Sequence, residues 1–186
     1  IQRRITLIQG DMTGFDLDRQ FNLIIIPFRS FQHILDADDQ LAALACVRRH
    51  LAPDGVFILD LFDPWYEMLT GPFPSEWTLD CDVSEPDGSR LIRRSRVVAH
   101  EKARQIQTIE FHFILTDPDG RTSSSTATFH MRCLFQAEAR HLLARAGLAV
   151  AALHGDHDMG PYRPDGELIF VCRSEEHKSE LQSRPV

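Results

Sequence analysis

The sequence predicts an α/β fold, a mostly parallel sheet carrying an antiparallel β-insertion. Three observations predict it. Residues 21–27 (FNLIIIP) and 56–62 (VFILDLF) are near-continuous apolar runs of strand length, which suits strands covered on both faces. Between them, Asp36 to Leu51 sets Leu41, Leu44, Ala45, Val47, His50 and Leu51 near helical spacing. From about 76 to 133 the pattern turns to polar–apolar alternation broken by Pro-Asp-Gly turns, the mark of an antiparallel meander with one wet face.

The elements follow in order. Ile5 to Gln9 is β-rich, alternates, and ends in Gly10-Asp11, so a strand is expected there. The FNLIII strand comes next. Asp36 or Asp38 is an N-cap candidate for the helix that follows it. Pro53-Asp54-Gly55 predicts a tight turn into the VFILDLF strand, which Asp63-Pro64 closes. Residues 76–83, 90–100, 105–116 and 122–133 read as successive strands, with Glu85-Pro-Asp-Gly88 and Asp117-Pro-Asp-Gly120 as type I turns. A helix is expected from about Gln136 to Ala146, ended by Gly147 in the left-handed conformation. Leu148–Leu153 and Glu167–Cys172 read as the final strands. No linker composition surrounds the β-rich stretch, so residues of about 75–133 are expected to be an insertion into one domain spanning 1–172.

Charge and composition exclude some function classes. Twenty basic against twenty-seven acidic residues give a net charge of −7, which disfavours nucleic acid and anionic membrane partners, since both reward basic patches. No apolar run approaches the length of a membrane span and no signal peptide is visible, so a cytoplasmic protein is expected. Cys46, Cys81, Cys133 and Cys172 lack CxxC spacing and suit reduced, mostly buried thiols. Arg173 to Ser183 resembles the translated sequence of a short-read sequencing adapter. Residues 173–186 are therefore expected to be an artefactual tail and are set aside from fold reasoning.

Three local signatures carry a resemblance. A strand ends in Gly10-Asp11-Met12 just before the FNLIII strand. Residues 51–60 (LAPDGVFILD) match a Pro-Gly-Gly-type turn feeding an apolar strand, with Asp54 in place of the first glycine. Met131-Arg132-Cys-Leu-Phe135 runs on through Glu138, Leu142, Leu143, Ala146 and Gly147-Leu148 into the last helix. In this order they resemble the class I S-adenosylmethionine-dependent methyltransferases, of the small-molecule type and similar to the sugar N,N-dimethyltransferases. The resemblance spans roughly Ile5 to Cys172.

The resemblance implies a Rossmann-like sheet of order 3-2-1-4-5-7-6, S-adenosyl-L-methionine as cofactor, and methyl transfer to a small-molecule acceptor. The family's glycine-rich loop and ribose-binding acid would lie upstream of Ile1. An N-terminally truncated sheet without its first two strands is therefore expected, with cofactor binding and activity of this fragment impaired. Ile5–Gln9 is then expected either to pair with Leu23–Pro27 or to hang loose.

By position, the resemblance implies Asp11 and Met12 as adenine contacts, through hydrogen bonding to the exocyclic amine and packing on the ring. Pro27 and Phe28 fall beneath the cofactor's methionine end, with Ser30 and Gln32 beside the acceptor. Methyl transfer needs the acceptor lone pair held about 3 Å from the methyl and water kept out, with a base only where the acceptor must lose a proton. His33 is the candidate base; a helix-start histidine without that role is the alternative. Trp65 and Tyr66, with Trp77, either wall the acceptor pocket or anchor the insertion. Arg132 either holds a carboxylate or stitches the meander to the helix. His154-Gly-Asp156-His157-Asp158 carries ligand-type side chains, but no further ligand stands at recognisable spacing, and no metal is assigned. A homodimer through the insertion is expected. Two other classes stay open: a non-enzymatic ligand-binding module built on the meander, and another Rossmann-like enzyme.

Overall fold

The computed structural model describes residues 5–70, 76–164 and 166–175. Its elements are β1 (Phe21–Ile26), α1 (Ala37–His50), β2 (Leu51–Phe62), the single-turn α2 (Glu67–Thr70), β3 (Thr78–Ser84), β4 (Arg90–Glu101), β5 (Ile106–Thr116), β6 (Thr122–Arg132), α3 (Gln136–Arg145), β7 (Leu148–His154) and β8 (Glu167–Ser174). Short 3-10 turns occupy Ser30–His33 and Lys102–Arg104. The chain divides into two compact units. One comprises residues up to Asp63 and from Phe135 onward, and the other Pro64–Leu134.

The first unit holds a sheet of order β1-β2-β8-β7. β1 and β2 are parallel, with Leu23 opposite Val56 and Ile26 opposite Leu59. β8 runs antiparallel to both β2 and β7. This is the 4-5-7-6 half of the strand order expected from the resemblance. α1 is the crossover that lets β1 and β2 run the same way.

α1 forms where it was predicted because charge and apolar spacing agree. Asp36 takes the extended N-cap conformation, Asp38 and Asp39 sit in the first turn, and Arg48 and Arg49 in the last, each complementing the helix dipole. Its buried face is Gln40, Ala43, Leu44, Cys46, Val47 and His50. They pack into a core with Phe31, Phe57, Leu59, Leu61, Leu143, Leu168 and Phe170. α3 ends at Gly147 with φ 73°, as expected. A Cβ there would stand 3.1 Å from the Arg48 guanidinium.

Three expectations are corrected. Ile5–Gln9 forms no strand and hangs loose, the second of its two expected arrangements, with Leu7 91% exposed. Alternation only permits a strand, whereas a paired neighbour makes one, and among the described residues β1 pairs with β2 alone. For the same reason β1 is not covered on both faces, as Leu23 and Ile25 are about half exposed. The Pro53-Asp-Gly turn is absorbed into β2 as a bulge. Phe21 faces Leu51 while Leu23 faces Val56, so four residues of β2 oppose one of β1. Gly55 is required there, because a Cβ would come within 2.9 Å of the Ala52 carbonyl and 3.0 Å of that of Phe21.

The second unit is the predicted meander, order β3-β4-β5-β6, antiparallel throughout. Both predicted turns form. Gly88 and Gly120 take φ 89° and 82°, and their amides donate to Glu85 and Asp117 carbonyls at 3.0 Å. One face carries ion pairs between Arg96 and Glu110 and a stack of Arg96 on Trp77 at 4.4 Å. The other carries Phe111, Phe113 and Phe129 in edge-to-face contact. The expected start of the insertion, near 75, and residues 176–186 of the expected tail lie outside the described residues. Arg173 and Ser174 extend β8, opposite Ala149 and Leu148. Among the described residues no helix is long and apolar enough to cross a membrane.

Candidate functional site

Parallel pairing brings the carboxyl ends of β1 and β2 to one rim, where doubly wound sheets bind ligands. The chain leaves β1 through Pro27 and then places Phe28 and Arg29, two consecutive non-glycine residues, at φ 56° and 59°. Such backbone costs about 1–3 kcal/mol per residue and persists only where its surroundings fix it. Here they do. The Phe28 amide donates to Asp60 Oδ2 at 3.0 Å, and Ser30 bonds back to the Pro27 carbonyl through both its amide and its Oγ. One residue beyond Leu61, the Phe62 amide donates to the buried Gln32 Oε1 at 2.8 Å. The two strand ends are thus tied together through the turn. Its outer surface is the Phe28 ring, 87% exposed.

Around this turn the rim is acidic. Asp60 is buried; its Oδ2 lies 3.6 Å from His157 Nε2, and its Oδ1 is buried without a partner. Glu167 begins β8 opposite Phe62; its Oε1 accepts from Arg29 Nη2 at 2.6 Å, and its Oε2 is likewise buried without a partner. Arg29 also lies over the Phe62 ring at 4.9 Å. The Tyr162 hydroxyl donates to Asp63 Oδ2 at 2.7 Å.

Of the predicted residues, Pro27, Phe28, Ser30, Gln32 and His33 fall on this one turn, His33 exposed at its last position. Gln32 corrects its expected role: fully buried, it spends its carbonyl on Phe62 and positions the turn. Asp11 is exposed, and Thr13 takes one of its oxygens with both amide and hydroxyl at 2.8 Å. The backbone bond, then the hydroxyl, holds its carboxyl below the usual range. The segment after it lies along α1, with Thr13 O on Cys46 Sγ and the Leu17 amide on His50 Nε2. Met12 in this segment is half-buried.

Trp65 and Tyr66 open the second unit, both exposed. Arg132 ends β6 opposite Ile106. Trp77 packs on Arg96 and on His112, 5.5 Å away, both within the meander itself. In the 154–158 loop the ligand-type side chains hold the loop itself. His154 Nδ1 bonds the Met159 carbonyl, and Asp156 Oδ1 accepts from the Asp158 and Gly160 amides.

Sequence reasoning assigned no site role to Asp60, Asp63, Arg29, Tyr162 and Glu167, and weighed His157 only as a candidate metal ligand. Asp60 had a signal, since a carboxylate inside an apolar strand run needs a use. The last three lie about a hundred residues further on and reach the rim only by folding.

No family model matches the chain. It is 33% identical over 167 residues to the dTDP-3-amino-3,4,6-trideoxy-alpha-D-glucopyranose N,N-dimethyltransferase of Streptomyces venezuelae, covering 89% of this chain and 63% of that one. To the dTDP-3-amino-3,6-dideoxy-alpha-D-glucopyranose N,N-dimethyltransferase of Streptomyces fradiae it is 26% identical over 168 residues, covering 89% and 58%. The chain thus spans about three fifths of these relatives. Among solved structures, DesVI of Streptomyces venezuelae superposes with TM-score 0.70 at 27% identity, covering 89% of this chain and 64% of that one. An S-adenosylmethionine-dependent methyltransferase of Clostridium acetobutylicum superposes with TM-score 0.75 at 15% identity, covering 93% and 67%, a likeness of fold. By sequence the chain is similar to sugar N,N-dimethyltransferases, and by fold to S-adenosylmethionine-dependent methyltransferases.

Proposed function

We propose that the protein works in methyl transfer from S-adenosylmethionine to a small-molecule acceptor, a nucleotide-linked amino sugar of the kind its relatives are named for. The observation that carries this reading is the braced turn after β1, at the rim of a chain 33% identical to such an enzyme over 167 residues. The residues present fit the donor in part. Asp11 keeps a second, exposed carboxylate oxygen for an adenine amine with Met12 beside it, and Phe28 offers an exposed ring. When bound, S-adenosylmethionine supplies an electrophilic methyl on a sulfonium. This chain's contribution is to hold the acceptor in line over the rim and to keep the turn from moving, which is where rate is gained in such a displacement. Pro27 and Phe28 would hold the donor, Ser30 would flank the acceptor, and His33 would take the proton the acceptor nitrogen sheds.

Trp65, Tyr66 and Arg132 belong to the same proposal as acceptor contacts. So does a homodimer through the insertion, supported by Val83, Leu91 and Leu115, which align on one face of β3, β4 and β5 with Val83 and Leu115 nearly half exposed. Four free cysteines suit a cytoplasmic location.

The test is calorimetric titration with S-adenosylmethionine of the protein carrying the upstream glycine-rich loop and ribose-binding acid that the resemblance implies, followed by mass spectrometry of a dTDP-linked amino sugar incubated with both. Donor binding and a mass gain of one or two methyl groups are expected. No donor binding at millimolar concentration, with the amino sugar still bound, would overturn the reading in favour of a ligand-binding module.

A further inference from the structure

We infer that Asp60 is the residue that selects a cationic amine over a hydroxyl in the acceptor, with Glu167 as its neighbour in that contact. This rests on the small-molecule acceptor proposed above.

Phe62 pairs with Glu167 and Asp60 with Ile169 across the β2–β8 ladder, so both carboxylates lie on one face of the sheet, one diagonal step apart. Residues so related stand about 7–8 Å apart at the backbone, within reach of a common ligand. Each carboxylate has one oxygen engaged: Asp60 Oδ2 by the Phe28 amide, Glu167 Oε1 by Arg29. Each has its other oxygen buried and without a partner.

Charge is also out of balance. Among the described residues Glu167 pairs with the Arg29 guanidinium, whereas Asp60 accepts from the uncharged Phe28 amide. His157, with its side chain 73% exposed, adds a cation beside Asp60 only when protonated. Buried charge is tolerated where it is compensated, and an orphaned buried acceptor is costly unless something donates to it.

An ammonium satisfies both demands at once. It donates two or three hydrogen bonds and brings the missing positive charge, and charge-assisted bonds of this kind are about twice as strong as neutral ones. A hydroxyl donates one bond and brings none. The docked ammonium gives one proton to His33 to free its lone pair, and the nitrogen is positive again once it gains a methyl group, so the same carboxylate compensates docked acceptor and alkylated product alike.

The geometry separates this role from the structural one. In Asp60→Asn a carbonyl oxygen still accepts the Phe28 amide, so the turn keeps its anchor while the charge is lost. Glu167→Gln likewise keeps a carbonyl acceptor for Arg29. The experiment is calorimetric titration of wild type, Asp60→Asn and Glu167→Gln with dTDP-3-amino-3-deoxyglucose and, separately, with dTDP-glucose, each variant first checked for a native circular dichroism spectrum and unfolding midpoint.

Wild type is expected to bind the amine at least about tenfold more tightly than the hydroxyl counterpart, the order that one charge-assisted contact supports. Asp60→Asn is expected to remove most of that preference with little change in affinity for dTDP-glucose, and Glu167→Gln part of it. Equal binding of the two sugars by wild type, failure to bind the amine, or a preference that survives in Asp60→Asn each overturns the inference. If Asp60→Asn does not fold, an unchanged preference in Glu167→Gln overturns it instead. Binding needs no methyl donor, so the two readings fail separately. A protein that prefers the amine but transfers no methyl group loses the proposed reaction and keeps this inference.

Discussion

The Phe28 amide donates to Asp60 Oδ2 across 3.0 Å, joining the turn after β1 to the penultimate stretch of β2. Phe28 and Arg29 both sit in the left-handed region, and no glycine relieves them. The bond therefore holds a conformation the local sequence disfavours, and it does so at the rim where ligand would lie. A second tie, from the Phe62 amide to Gln32, fixes the far side of the same turn.

These ties give opposite expectations for the two side chains. Gln32→Leu leaves the Phe62 amide without its acceptor and should cost about 1–3 kcal/mol in urea unfolding. Asp60→Asn keeps an acceptor for Phe28 and removes a buried charge with an orphaned oxygen, so its midpoint should equal or exceed that of wild type. A large loss in Asp60→Asn would mean that the charge itself stabilises the fold.

His33 is exposed at the end of the 3-10 turn and does not hold the core. His33→Ala should therefore unfold at the wild-type midpoint. If it takes the acceptor's proton, kcat falls about 100-fold or more while KM moves by less than about threefold. Steady-state kinetics on a methylated amino sugar decide it, and an unchanged kcat removes His33 from the chemistry.

Cys172 lies in β8 between Phe57 of β2 and Val150 of β7. Burial pushes its thiol up to about 12, with Arg140 opposing weakly. A raised value means that the folded state holds the proton longer than the unfolded one. The stability this contributes is complete below pH 9 and is lost as pH climbs from there toward about 12. Urea midpoints should fall across that window, and less steeply in Cys172→Ala. At pH 8 iodoacetamide should label the half-buried Cys81 first and leave Cys172 unmodified until the protein unfolds.

Gly147→Ala should cost about 1–2 kcal/mol, from the left-handed backbone at φ 73° alone. Any yielding of the Arg48 guanidinium, 3.1 Å from the new methyl, adds to it. Thermal unfolding should show a midpoint about 2–8 °C lower, whereas an unchanged midpoint would mean that the helix end repacks freely.

By itself the sequence determined the elements and their kinds. Period and turn chemistry are local properties, so the helices at 37–50 and 136–145, the four meander strands and the Gly88, Gly120 and Gly147 turns were all legible. So was the turn bearing Phe28 to His33, because an apolar strand feeding a polar turn is written in consecutive residues. What only the tertiary structure decided depends on pairing between distant segments. Ile5–Gln9 alternates like a strand yet has no partner, and Pro53–Gly55 reads as a turn yet becomes a bulge, because strand pairing is a contract between two chains of residues. The acidic rim is the sharpest case. Asp60, His157, Tyr162 and Glu167 are up to 107 positions apart, and no spacing rule links them. They meet because β8 inserts antiparallel beside β2 and delivers its first residue to the end of its neighbour.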